Sequence, residues 1–182
     1  MSSYQAKEQF SLFEASSIAT KSETPILPGK NLLFEAIDAF FSGEVQQALD
    51  AMQAYFLEGG NARPLISALQ AKNRLLIQIK VLLDSKELQL INGKLIGLST
   101  ANKQYSVYFD TAQEKSSYCM FSQKDWYLNK LGVTATRLSL DKLITQQQAF
   151  LTTFESIALT LDTQERLLEK LILECLSISA SR

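Results

Sequence analysis

The side chains that most often do chemistry at neutral pH are sparse in this chain. Histidine does not occur among the 182 residues, which removes Ser-His-Asp and Cys-His catalysis and every His-ligated metal site. Cys119 and Cys175 are the two cysteines. Each stands alone in its segment, so neither a disulfide framework nor a CxxC metal site can be read. Cys119 lies between Tyr118 and Met120 with no basic neighbour before Lys124, the setting of a buried, inert thiol. Cys175 falls in an apolar stripe and reads as a small hydrophobe. Glu165 and Glu169 are spaced to share one helix face, as a carboxylate pair would be. Glu165 also suits a helix cap, and Glu169 sits with Arg166 and Lys170 on a solvated helix. Gly59-Gly60 and Gly93 match neither GxGxxG nor GxxxxGK[ST], so they are turns rather than a phosphate cradle. Trp126-Tyr127 could stack on a base or a ligand, but adjacent helical residues point apart, so one faces the core and the other its rim. No catalytic residue, cofactor or metal is assigned.

The bulk composition narrows the class further. A length of 182 residues suits one domain, and 46% apolar residues with seven glycines and three prolines describe a chain that folds. Eighteen basic against 19 acidic residues and a pI near 5.6 give no electropositive footprint for nucleic acid. No apolar run is long enough to span a bilayer, and the start MSSYQAKEQ lacks the order of a signal peptide. The expectation is a soluble cytoplasmic protein without a small-molecule ligand.

These residues must be positioned by helices. Residues 1–30 are polar and end in Thr24-Pro25-Ile26-Leu27-Pro28-Gly29, which reads as a linker or the end of a preceding domain, with Phe10, Leu12, Phe13 and Ile18 on a short upstream helix. From Asn31 a helical period places Leu33, Phe34, Ile37, Phe40 and Phe41 on one face up to Ser42-Gly43. Val45, Ala48, Leu49, Met52 and Phe56 form a second stripe ending at Gly59-Gly60, which makes an antiparallel pair. Pro64 suits the first position of a third helix that runs to about Asp84.

Residues 85–121 lose this period. Asn92-Gly93 between apolar runs signals a type I′ hairpin, although Lys86 to Ile96 also holds helix formers, so a small β-hairpin or an irregular insert both stay open. Gln104 to Phe109 alternates like an extended strand. Ser122 with Asp125 resembles a capping box for a helix stopped by Gly132. Ser139 can cap the longest stripe, which includes Leu143, Ile144, Phe150, Leu151, Phe154 and Ile157. Asp162 with Glu165 can cap the last helix, with Leu167, Leu168, Leu171, Ile172, Cys175 and Leu176 apolar. The fold class expected is all-α, a compact bundle of about five to six helices with a hairpin or irregular insert around 85–121.

Widened apolar faces at Phe40 with Phe41, and around Leu168, Leu171 and Ile172, are the candidate subunit interface, because a helix that is apolar beyond one stripe buries more than one face.

The order of these segments resembles one family, the C-terminal collar domain of the delta subunit of the bacterial DNA polymerase III clamp loader. Leu33 to Glu44 followed by Ala48-Leu49 is similar to its opening helix pair, F-x-L-x-D-A-x-x-x-G-(D/E) then A-L. Glu58 to Leu65 is similar to its turn into the third helix, and Leu69 to Lys80 to its L-x-x-x-x-R-x-L-x-x-x-K helix. Trp126 to Leu131 and Leu168 to Leu173 resemble its last helices. The match covers about residues 31–84 and 122–176. It departs where the family often carries D-x-x-x-K and this chain has Glu155 and Leu159, and in a longer connection over 85–121.

The resemblance implies that residues 31–182 are a helical oligomerisation domain that packs in a ring with the delta-prime and gamma/tau subunits. It implies no catalysis by this chain, and contacts with DNA and clamp made by domains it does not contain. From the residues alone, two other readings stand beside it. One is a free-standing helical adaptor or regulator that binds a partner helix or peptide in a groove. The other is a small-molecule enzyme using Glu, Lys or Tyr, which needs a deep pocket with converging polar groups.

Overall fold

Asn61 opens the longest helix among the described residues by accepting a 2.9 Å hydrogen bond on its side-chain oxygen from the Arg63 N–H, which satisfies one of the orphan donors of a helix start. The computed structural model describes residues 31–109, 118–160 and 164–177. The 1–30 linker or preceding-domain reading and the Asp162 cap lie outside them. Chain contacts divide the molecule between Lys30 and Asn31, and the unit from Asn31 onward is the one described.

Seven α-helices and one hairpin make up the fold among the described residues: α1 (Leu32–Ser42), α2 (Val45–Leu57), α3 (Ala62–Asp84), β1 (Gln89–Ile91), β2 (Lys94–Ile96), α4 (Leu98–Phe109), a 3-10 turn (Met120–Ser122), α5 (Asp125–Arg137), α6 (Leu140–Leu159) and α7 (Gln164–Ser177). This is the all-α bundle expected from sequence, with the hairpin rather than the irregular form of the insert and with one helix more than expected. The extra helix is α4, where Gln104 to Phe109 had read as extended. Leu98, Ala101 and Tyr105, three and four residues apart, all meet the second of two apolar clusters, so a helical face was present beneath the alternation. The Tyr105 hydroxyl also donates to Glu87 Oε1 at 3.1 Å.

Several helix ends differ from expectation. Pro64 is the third residue of α3, still within the first turn where its missing N–H loses no helical bond. The Ser122–Asp125 box does not form: Ser122 ends the 3-10 turn, and α5 starts at Asp125 after Lys124 without a side-chain cap. Asp125 instead places its charge in the first turn, where the helix dipole favours it. Gly132 does not stop α5. It lies inside the helix because Leu95 of the hairpin seats on it, with its Cγ only 2.9 Å from where a Cβ would stand. Ser139 caps α6 as read, accepting from the Lys142 N–H at 3.2 Å.

The hairpin adopts the turn its sequence signals. Asn92 and Gly93 have φ of 50° and 76°, the left-handed pair that a type I′ turn requires, and Gln89, Leu90 and Ile91 pair with Ile96, Leu95 and Lys94. An isolated hairpin would be marginal in water. This one is docked: Leu95 is buried, and its N–H donates to Asn129 Oδ1 on α5 at 2.8 Å.

α3 is the axis of the bundle and packs against α1, α5, α6 and α7. Its two halves serve different cores. Leu65, Ile66 and Leu69 join Phe40, Met52, Phe150, Ile157, Leu168 and Leu171, whereas Leu75, Leu76 and Ile79 join Leu95, Met120, Leu128, Leu131 and Leu143. A polar belt separates them. Gln70 donates to the Phe150 carbonyl at 3.2 Å, and Asn73, fully buried, donates to the Leu143 carbonyl at 2.9 Å and to Gln147 Oε1 at 3.0 Å. Asn73 Oδ1 and Gln146 Oε1 are buried without a hydrogen-bond partner among the described residues, which offsets much of what the belt contributes. Asn73→Leu should therefore shift the free energy of unfolding by no more than ~1 kcal/mol, because two modest hydrogen bonds are lost while one orphaned oxygen is relieved. Urea unfolding measures this, and an equally small shift is expected in no variant that truncates the neighbouring apolar residues.

Candidate partner-binding groove

Three helical stripes converge on one open groove of about 420 Å³. α1 supplies Phe34, Ile37 and Asp38, α3 supplies Ala68, Ala71, Lys72 and Leu75, and α5 with its preceding turn supplies Gln123, Trp126, Tyr127 and Lys130. In each helix these positions recur at intervals of three and four, so each stripe is a single helix face. α3 packs against both of the other helices, and the short side chains of Ala68 and Ala71 leave room above it. Phe34 and Trp126 remain 61% and 66% exposed. Trp126 therefore takes the rim and half-buried Tyr127 the inner wall, the division expected for neighbouring residues on a helix, with their ring centroids 5.7 Å apart.

The polar end of the groove is one carboxylate held by two ammonium groups. Asp38 Oδ1 accepts from Lys72 Nζ at 2.6 Å, and Oδ2 accepts from Lys130 Nζ at 2.7 Å. The Lys72 side chain is 8% exposed and those of Asp38 and Lys130 are 49% and 57% exposed. Lys72 Nζ also lies 4.9 Å from the centroid of the Phe41 ring, a cation–π contact that replaces part of its lost hydration. Partial burial works to raise the pKa of Asp38, but the hydrogen bonds and charges of the two lysines outweigh it and hold the carboxyl below its ordinary value. Burial pulls the Lys72 ammonium below the ordinary lysine value, and Asp38 restores only part of the loss. Tyr127 is pushed up, first by burial and then by the Asp38 charge. A lysine of lowered pKa can act as a nucleophile, but here its ammonium is committed to Asp38 and the Phe41 face. The trio ties α1, α3 and α5 together.

The interface residues expected from sequence lie elsewhere. Phe40 is 2% exposed, and Leu168, Leu171 and Ile172 are also buried. All four fill the first core, so their surface is already spent within the chain. The reason is topological: α1 packs on both α2 and α3, while α7 packs on α2, α3 and α6, so a broad apolar face on either helix finds more than one neighbour at home. Phe41 alone of the five keeps partial exposure, wedged edge-on against Phe40 at 5.2 Å. Sequence placed Phe34 on one apolar face with Ile37, Phe40 and Phe41, yet it stays exposed, and nothing local showed that it would share a groove with Trp126.

The remaining chemistry-bearing residues are dispersed. Cys119 is buried, and the Cys175 thiol is pushed up to about 11, chiefly by burial and next by the Glu174 charge, with Lys142 opposing. Glu165 and Glu169 are exposed on α7. Among the described residues no group of three or more His, Cys, Asp or Glu side chains is placed to hold a metal, and no helix is long and apolar enough to cross a membrane. A smaller cavity of about 250 Å³ lies between α6 and α7, lined in part by Thr152, Ser156, Lys170 and Glu174. Comparison with protein-family models, curated proteins and solved structures returned no match.

Proposed function

We propose that this chain is a subunit-assembly domain that acts by packing against other proteins, and that its assembly is the clamp loader of bacterial DNA polymerase III, where it serves as the collar of the delta subunit in the cytoplasm. The observation that carries the packing role is the groove, in which two large aromatic side chains, Phe34 and Trp126, stay more than half exposed. Aromatic residues are enriched where protein interfaces are made, and holding two of them in water is unfavourable unless a partner covers them. The choice of assembly rests on the ordered resemblance over residues 31–84 and 122–176. Delta-prime and gamma/tau are the partners, and the mechanism is burial of apolar surface, with no catalytic step, cofactor or small-molecule ligand.

The test mixes the purified chain with the collar domains of delta-prime and gamma/tau from the organism that encodes it. Co-elution on size exclusion and a measurable heat of binding are expected, with an interface above ~1,000 Å². No complex by either method ends the clamp-loader reading. A second reading, an adaptor that binds a free partner helix or peptide, is favoured by the same groove because its walls are helix faces that carry exposed aromatic side chains. Binding of such a peptide without binding of any loader subunit selects it.

A further inference from the structure

We propose that the groove between α1 and α5 receives one amphipathic helix of a partner protein, which seats an apolar side chain between Phe34 and Trp126 and pairs a carboxylate on the same face with Lys130. This deepens the assembly reading and rests on it only in taking the occupant to be protein.

Charge decides the polar half of the occupant. Among the described residues that line the groove, two ammonium groups face the single carboxylate of Asp38, which leaves a surplus of one positive charge in that lining. Lys72 is buried against Asp38 and Phe41, whereas Lys130 is the exposed one of the two lysines, with one acceptor among the described residues, at 2.7 Å, for an ammonium that carries three donors. An incoming carboxylate completes the alternation of charge around Lys130, and an incoming ammonium would meet a surplus of its own sign. The apolar half follows from the walls. Phe34, Ile37, Leu75, Trp126 and Tyr127 over the Ala68–Ala71 floor form the apolar part of the groove, whose whole volume of about 420 Å³ is within the usual size of a binding pocket.

The backbone of the occupant is decided by what the groove does not offer. Every wall is a helix face or the turn that leads into one, and the backbone of a helix is already bonded within itself. An extended peptide would find no strand edge here and would lose hydration of its own N–H and C=O groups without compensation. A helix brings those bonds with it, and its residues three or four apart can deliver the apolar anchor and the carboxylate together.

The experiment uses the whole chain and a phage-displayed library built on an Ala-rich, capped 18-residue helix, randomised along one face. Selected clones should carry Trp, Phe, Leu or Met with Asp or Glu three or four residues away. They should bind Lys130→Gln and Trp126→Ala at least about tenfold more weakly than the unaltered chain, and they should shift the emission of the single tryptophan. Lys130→Glu, checked for helicity by circular dichroism, should bind still more weakly, and a peptide with Lys in place of its acid should regain part of that loss. Failure to enrich any clone overturns the proposal, as does enrichment of clones that lack an acid, ignore both substitutions or leave the emission unchanged. The assembly reading fails separately. Loader domains that bind Trp126→Ala and Lys130→Gln as tightly as the unaltered chain overturn the groove while leaving the assembly in place. Loader domains that never bind, while acidic helices are selected, end the clamp-loader reading and leave the groove.

Discussion

Replacing Phe150 with alanine is expected to lower the free energy of unfolding by ~3–5 kcal/mol, the usual cost of truncating a fully buried phenylalanine in a core that cannot collapse around the void. Phe150 is fully buried on α6, and its ring centroid lies 5.4 Å from that of Phe40 on α1. Around the pair stand Ile66, Leu69, Leu168 and Leu171 from other helices. Counting the pair itself, these side chains are held by four helices, α1, α3, α6 and α7, so no single shift refills the space. Denaturant unfolding reads the loss as a lower midpoint at unchanged slope. Leu151, the next residue, is 49% exposed, and its change to alanine should stay within ~0.5 kcal/mol. Equal effects at the two positions would contradict the packing described.

Replacing Asp38 with alanine is expected to cost ~2–3 kcal/mol, whereas Lys72→Met should be neutral or stabilising. Removing one partner of a buried ion pair typically costs ~3–5 kcal/mol because the other charge is left uncompensated, while an apolar replacement for a buried charge is often harmless. The lower figure applies because Asp38 is about half exposed and water screens part of the interaction. The Asp38→Ala, Lys72→Met double variant should recover most of the loss, since no buried ammonium then remains.

The pH dependence follows from the same groups. The folded Asp38 carboxyl has a lowered pKa, so the stability it contributes is fully present above its ordinary value of 3.8 and is lost as pH falls through the folded value. Asp38→Ala should therefore flatten the acid limb of the stability curve below about pH 4. Lys72 acts at the other end. Its folded pKa is lowered from 10.5, so between the two values the unfolded chain binds more protons and stability rises with pH. The difference between the unaltered chain and Lys72→Met should show that alkaline rise.

Much of the helical architecture was legible because it depends on neighbours in sequence. The cap at Ser139 bonds three residues ahead, and the Asn92-Gly93 turn needs only its own two backbone angles. A period of three and four along α1, α3 and α6 likewise marks a helix without reference to any partner. At two positions where local signals misled, a distant residue was responsible: Gly132 continues a helix because Leu95 fills the space above it, and Tyr105 turns to meet a core cluster and Glu87 rather than lie in a strand.

The amino-acid sequence by itself determined that this is an all-α chain without histidine chemistry, with amphipathic helices broad enough to bury more than one face. Only the tertiary structure decided which apolar faces are consumed inside the chain and which remain outside. Phe40, Leu168, Leu171 and Ile172 went to the core, while Phe34 and Trp126 stayed at the surface. It also decided that Asp38 meets Lys72 and Lys130, 34 and 92 residues away along the chain. Period and capping are set within a turn or two of helix, but burial and charge pairing depend on which helices meet, and that is a property of the whole packed bundle.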